Sequence, residues 1–163
     1  MQQELTRSSS ATRGGKYLVF ALDPNQYAVP IKVVREIIAM HEITPLPRMP
    51  HFVRGVINLR GRIIPVADLR VCLGMSSNEA TRTSCIIVAD IECDDEGTTT
   101  QIGCMVDSVC EVREIDEAEI QTPPHGTDGG HVNGLVRTDE AVFAILELEV
   151  LLGEIGAQAR MLG

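Results

Sequence analysis

The residues able to do chemistry are few in kind: 4 histidines, 5 cysteines and 23 carboxylates in 163 residues. The stretch "HGTDGGH" groups His125, Asp128 and His131. Such a set could ligate a metal and serve a metal-dependent enzyme. It lies in a glycine-rich loop, however, and ligands need a rigid scaffold to hold coordination geometry. A polar loop is the favoured reading. Asp94/Asp95 and Glu117/Glu119 fall in acidic loops and read as solvated turns, since the spacing of a calcium-binding EF-hand is absent. No HExxH, GxSxG, phosphate-loop or dinucleotide pattern occurs. Cys72, Cys85, Cys93, Cys104 and Cys110 are odd in number and lack CxxC spacing. Most have apolar neighbours, where a free thiol behaves as a small hydrophobe. The expectation is no catalytic residue, no cofactor and no metal site.

A different chemistry, that of binding, is written at residues 54–70, "RGVINLRGRIIPVADLR". Arginines interrupt an otherwise apolar run, and Arg60 and Arg62 flank Gly61. Glycine at a strand junction supplies a backbone conformation that bulkier residues resist. If strand geometry persists, Arg60 and Arg62 share one face. Arginine at the rim of an apolar surface is a favoured interface anchor, pairing with carboxylates through a planar fork. The competing reading is a solvated turn.

The elements that must carry these residues are mostly strands. Strands are expected at 16–22 and 26–31 around a "DPN" turn, at 55–59 and 62–67, at 84–91 and 101–112, and in a last hairpin from "VNGLVRT" and "AVFAILEL". "KVVREII" (32–38) repeats apolar pairs at a spacing of four and reads as a helical turn or two. "ADLRVCLG" reads as a short helix capped by Asp68 and stopped by Gly74, and "ELEVLLG" as another. Residues 1–15 read as a flexible polar arm, 16–153 as the folded domain, and 154–163 as a tail.

Bulk properties limit the partners. The net charge of -9 argues against nucleic acid. Seven basic and three acidic residues lie between Lys32 and Arg70, but four basic and eighteen acidic from Glu79 onward. No apolar run reaches the ~20 residues of a membrane span, and no signal peptide is visible, so a cytoplasmic protein without membrane insertion is expected.

A weak duplication organises the chain. Residues 55–74 align without a gap on 134–153, with Gly55/Gly134, Leu69/Leu148, Val71/Val150, Leu73/Leu152 and Gly74/Gly153 identical. Upstream, 29–37 aligns on 104–112, with Val34 over Val109 and Glu36 over Glu111. The repeat suggests two small β-barrels on one plan, closed so that no edge is left open.

The whole of "RGVINLRGRIIPVADLR", with "YLVFAL", "VPIKVVREI", "TPLPRMPHFVRG" and "GCMVDSVCEV", resembles the signature of the CheW-like family, the coupling proteins of bacterial chemotaxis. The resemblance runs from about Lys16 to Gly153. It implies a mainly β fold of two interlocked five-stranded SH3-like barrels with short helices. It implies a non-enzymatic adaptor joining the cytoplasmic tip of chemoreceptors to the regulatory domain of the histidine kinase CheA, recruited to membrane-associated receptor arrays. The same role in a pilus-motility or surface-sensing pathway is the alternative. Position by position, Val34 and Glu36 match kinase contacts, with Ile31 and Ile37 adding apolar area, and Gly55 and Asn58 match residues that shape the turn beside them. Arg60 matches the arginine near the receptor–kinase junction, and Cys85, Gly103, Val109 and Val112 match a groove for receptor helices.

Overall fold

The computed structural model describes residues 13–92, 96–124, 131–139 and 141–153. Half 1 contains β1 (Gly15–Leu22), β2 (Asn25–Pro30), β3 (Val34–Ala39), β4 (Val53–Leu59), β5 (Arg62–Asp68) and helix α1 (Leu69–Cys72). Half 2 contains β6 (Cys85–Glu92), β7 (Thr99–Val106), β8 (Ser108–Ile115), β9 (Ile120–Gln121), β10 (Val132–Arg137), β11 (Val142–Leu146) and helix α2 (Leu148–Leu151). The fold is mainly β, as expected. The arm expected at 1–15 is described only from Arg13, whose Nη1 donates to the Asn133 carbonyl, and the tail at 154–163 lies outside the described residues.

The halves do not fold side by side. One sheet runs β8-β1-β2-β11-β10-β9 and the other β3-β6-β7-β5-β4. Each sheet therefore draws strands from both halves. β3 leaves half 1 to pair with β6, and β8 leaves half 2 to pair with β1. The parallel ladders β2–β11 and β5–β7 join the halves again. The interlocking implied by the resemblance is this exchange.

Strand alternation sorts the apolar residues into three layers. Tyr17, Val19, Ile120, Val136, Phe143 and Ile145 belong to a cluster in the first sheet. Ile57, Leu59, Ile64, Val66, Ile86 and Val88 belong to one in the second. Between them lies the largest, which includes Leu18, Phe20, Leu22, Ile87, Ala89 and Ile91. Strands β1 and β6 contribute to two layers each, one from either face. That is why both read as unbroken apolar runs rather than alternating ones.

Two matched bridges tie the edges of each sheet. Thr44, a few residues beyond edge strand β3, pairs with Val56 on the opposite edge strand through two 2.9 Å backbone hydrogen bonds. In half 2 the corresponding closure is β9, where Gln121 faces Leu135 and Ile120 faces Val136. This short strand is why one sheet counts six strands instead of the expected five. The repeat's first pair of identical glycines, Gly55 and Gly134, sits under these crossings. A Cβ on Gly55 would lie 2.2 Å from the Thr44 carbonyl oxygen, and one on Gly134 would lie 2.4 Å from Ile120 Cγ2.

Two elements differ from the sequence reading. The single strand expected at 101–112 breaks at Asp107, whose carboxylate is held by Arg70, into β7 in one sheet and β8 in the other. Residues 32–38 are a short 3-10 turn (Ile31–Val33) followed by strand β3, not helical turns. The apolar pairs at a spacing of four fit a strand equally well, because β-branched Val and Ile suit a pleated ladder and β6 supplies the partner.

Candidate functional site

The turn between β4 and β5 is a two-residue hairpin. Leu59 faces Arg62 in the ladder, leaving Arg60 and Gly61 at the tip with φ of 53° and 86°. Two positive φ values in succession mark the type I′ class, which favours Asn-Gly. Arginine is an unusual first residue there, since left-handed backbone disfavours a branched or bulky side chain. The tip folds back, so the shared strand face expected for Arg60 and Arg62 does not form. Asn58 holds the turn, its Oδ1 accepting from the Gly61 N–H at 2.9 Å.

The Arg60 guanidinium is well exposed and donates from Nη2 to Glu36 Oε2, which is partly buried on β3. The turn and the edge strand are thus one surface. Ile37, also on β3, is 44% exposed, and Ile63, just past the turn, is 59% exposed. Ile31 and Val34 are half-buried and pack against the layer between the sheets. Gly55 is buried beneath the Thr44 crossing and shapes the surface without presenting a side chain.

The second set of expected residues is divided: Val109 and Val112 lie on the equivalent strand of the other sheet, whereas Cys85 on β6 and Gly103 on β7 lie in the same sheet as β3. Val109 is half-buried against the middle layer and Val112 is 55% exposed, both on edge strand β8. In the register of the repeat, Val109 and Val112 stand where Val34 and Ile37 stand on β3. Val142, also 55% exposed, stands where Ile63 stands. Cys85 begins β6 and packs against the middle layer. Burial pushes its thiol above the usual range, so it is neutral and acts as an apolar contact. Gly103 is buried, with a would-be Cβ 2.8 Å from Ile86 Cγ2. It allows close packing under the surface.

Much of "RGVINLRGRIIPVADLR" serves the fold. Asp68 is buried and caps α1, accepting from the Arg70 N–H at 3.0 Å. Its other oxygen accepts from Arg54 Nη1 at 3.2 Å and Ser77 Oγ at 2.8 Å. Arg70 is largely buried and reaches three segments: the Asp23 carbonyl at 2.9 Å, the Ser76 carbonyl at 2.8 Å and Asp107 Oδ2 at 2.8 Å. Sequence reasoning gave Asp68 its capping role but missed Arg54, Arg70 and Asp107 as a network. A charge inside an apolar run was the available signal, since buried charges are normally paired.

His125 and Asp128 of the metal alternative lie outside the described residues. Among the described residues no group of three His, Cys, Asp or Glu could hold a metal ion. No helix of the described residues is long and apolar enough to cross a membrane.

Comparison with known proteins decides the kinship of this fold. Residues 16–156 match the CheW-like domain. The chain belongs to the CheW-like family. Among its relatives in this family are the chemotaxis protein CheW of Thermotoga maritima, 33% identical over 90% of this chain and 93% of that protein, and the chemotaxis protein CheW of Rhizobium meliloti, 32% identical over 85% and 88%. The crystal structure of the scaffolding protein TtCheW from Thermoanaerobacter tengcongensis superposes with a TM-score of 0.76 at 37% identity, covering 85% of this chain and 92% of that one. The likeness to these CheW-like proteins spans both sheets, so the exchange of strands between halves belongs to the part that is shared.

Proposed function

We propose that this chain is a non-enzymatic adaptor that couples chemoreceptors to the histidine kinase of a chemotaxis pathway. The observation that carries the reading is the Arg60–Glu36 pair, which joins an exposed turn in strained backbone to an edge strand with a projecting apolar residue. The family's role supplies the partners. On this reading Glu36, Ile37, Val34 and Ile31 face the kinase regulatory domain, with Gly55 and Asn58 shaping the surface. Arg60 stands at the junction with the receptor, and Cys85, Val109 and Val112 line the receptor side, with Gly103 packed beneath it. The protein works in the cytoplasm and is drawn to membrane-associated arrays by the receptor tips.

An adaptor influences a kinase only by binding its active and inactive arrangements differently. Several modest contacts across an array, amplified by avidity, suit that task better than one tight site. Reconstitution of receptor fragment, kinase and adaptor tests the reading. With Arg60→Ala, receptor control of kinase activity is expected to fall several-fold while the far-ultraviolet circular dichroism and melting temperature stay near those of the parent. Equal receptor control by the variant and the parent would refute the role of Arg60.

A further inference from the structure

The exchange of strands makes each half structurally incomplete. Four ladders join the halves: β1–β8, β3–β6, β2–β11 and β5–β7. Within the halves lie the ladders β1–β2 and β4–β5 on one side, and β6–β7, β9–β10 and β10–β11 on the other. A half on its own would expose the partner edges of all four joining ladders, a costly state for any sheet.

One covalent segment connects the halves, the linker from Met75 to Thr83. Residues 76–83 are all exposed. The two ends of this linker meet at Asp107 of half 2. Its side chain accepts from Arg70 Nη1 at 2.8 Å, just before the linker, and its carbonyl accepts from Thr83 Oγ1 at 2.9 Å, at the far end. The linker is therefore folded back on itself. Its residues, if extended, would span about 30 Å at roughly 3.3 Å each.

We propose that two copies of this chain can exchange halves through an opened 75–83 linker. The product is a dimer with two complete units, each built from half 1 of one copy and half 2 of the other. All four joining ladders and all three apolar layers re-form unchanged, because the second copy supplies the same strands in the same register. Only the linker differs. Met75 on the middle layer, the Ser76 carbonyl on Arg70 and Ser77 on Asp68 are contacts to half 1 of the same copy. They persist when the chain opens beyond Ser77, where the residues are exposed. Exchange of this kind is a low-cost route to a dimer. The occupant of each half's open edges is thus a second copy of this chain, a conclusion independent of the adaptor role. The monomer holds its own halves at an effective concentration of the order of millimolar, so exchange competes when chains refold together near that concentration.

Two full-length variants, each broken in a different half, test this. Gly55→Glu drives a side chain into the Thr44 crossing, and Gly134→Glu does the same at Ile120. Each variant refolded alone is expected to lack a cooperative melting transition. Co-refolded from urea at near-millimolar concentration, the pair is expected to give a dimer by sedimentation. That dimer should show a melting transition of roughly half the parent's amplitude, because one of its two units is built from two intact halves. A mixture that equals the average of the separate samples, with no dimer and no transition, overturns the proposal. Should either glycine variant fold alone, Ile64→Asp and Phe143→Asp replace them, placing a charge in the core of half 1 and half 2 respectively. The same two outcomes then decide.

Discussion

Arg60 holds a position where the backbone prefers Asn or Gly, and that preference separates its two roles. In the first position of a type I′ turn, arginine costs stability that a residue tolerant of positive φ recovers. The pair with Glu36 returns little, since Arg60 is mostly exposed and such ion pairs contribute about 0–1 kcal/mol. Arg60→Asn is therefore expected to leave the urea midpoint unchanged or raise it, by about 0.5 kcal/mol in stability, while weakening receptor control of the kinase as Arg60→Ala does. A clear loss of stability would mean that the arginine serves the fold. A second prediction concerns Cys72, whose thiol is pushed up to about 12, first by burial and then by Asp68. The folded pKa lies above the ordinary thiol value of 9.0 that the unfolded chain keeps. Below pH 9 both states hold the proton and the contribution is fully present. Between pH 9 and 12 the unfolded chain releases it first, so stability falls as pH rises, by at most about 1.4 kcal/mol per unit for one thiol. Urea melts across this range should show a shallower decline for Cys72→Ala than for the parent.

At the scale of elements, the bridges that close the sheets depend on absent side chains. Gly55→Ala and Gly134→Ala each force a Cβ against a neighbouring segment, and Gly55 also has a φ of 147° that L-residues rarely adopt. Losses of about 2–3 kcal/mol are expected from such overpacking. The Gly55 variant should lose more, because its clash is with rigid backbone at an unfavourable φ, whereas that of Gly134 is with the branch methyl of the Ile120 side chain. Chemical denaturation of the two variants checks the order. These closures also show what was legible beforehand. Apolar runs and alternation exposed most of the strands, though β7 and β8 read as one and β9 went unread, and the gapless repeat placed α1 and α2 at matching positions with their hairpins. The strand nature of 32–38 was hidden, because Val33/Val34 and Ile37/Ile38 satisfy both periods and only the partner β6 decides between them. The pairing of Arg60 with Glu36 was likewise hidden. The two residues lie on elements far apart in sequence, and only closure of the sheet brings them together. The buried network around Arg70 escaped notice for the same reason.

For the whole molecule, the layer between the sheets is the largest apolar cluster and takes strands from both halves. The two sheets should therefore unfold as one unit. Ile87→Ala, in the middle of that layer and almost fully buried, is expected to cost about 2–5 kcal/mol. Hydrogen exchange should show β1 and β11 losing protection together with β4 and β5. Loss confined to the sheet that contains Ile87 would instead mean two separable domains.

The register that lays Gly55 on Gly134 makes each barrel an internal control for the other. The glycines under the crossings are the same in both copies, whereas the sequence aligned with Arg60-Gly61 reads Asp139-Glu140 in the other. What the copies share marks what closure demands of any sequence. Where they part, at the turns, the chain records a choice that the architecture left free, and grafting one tip onto the other barrel would move that choice without moving the fold.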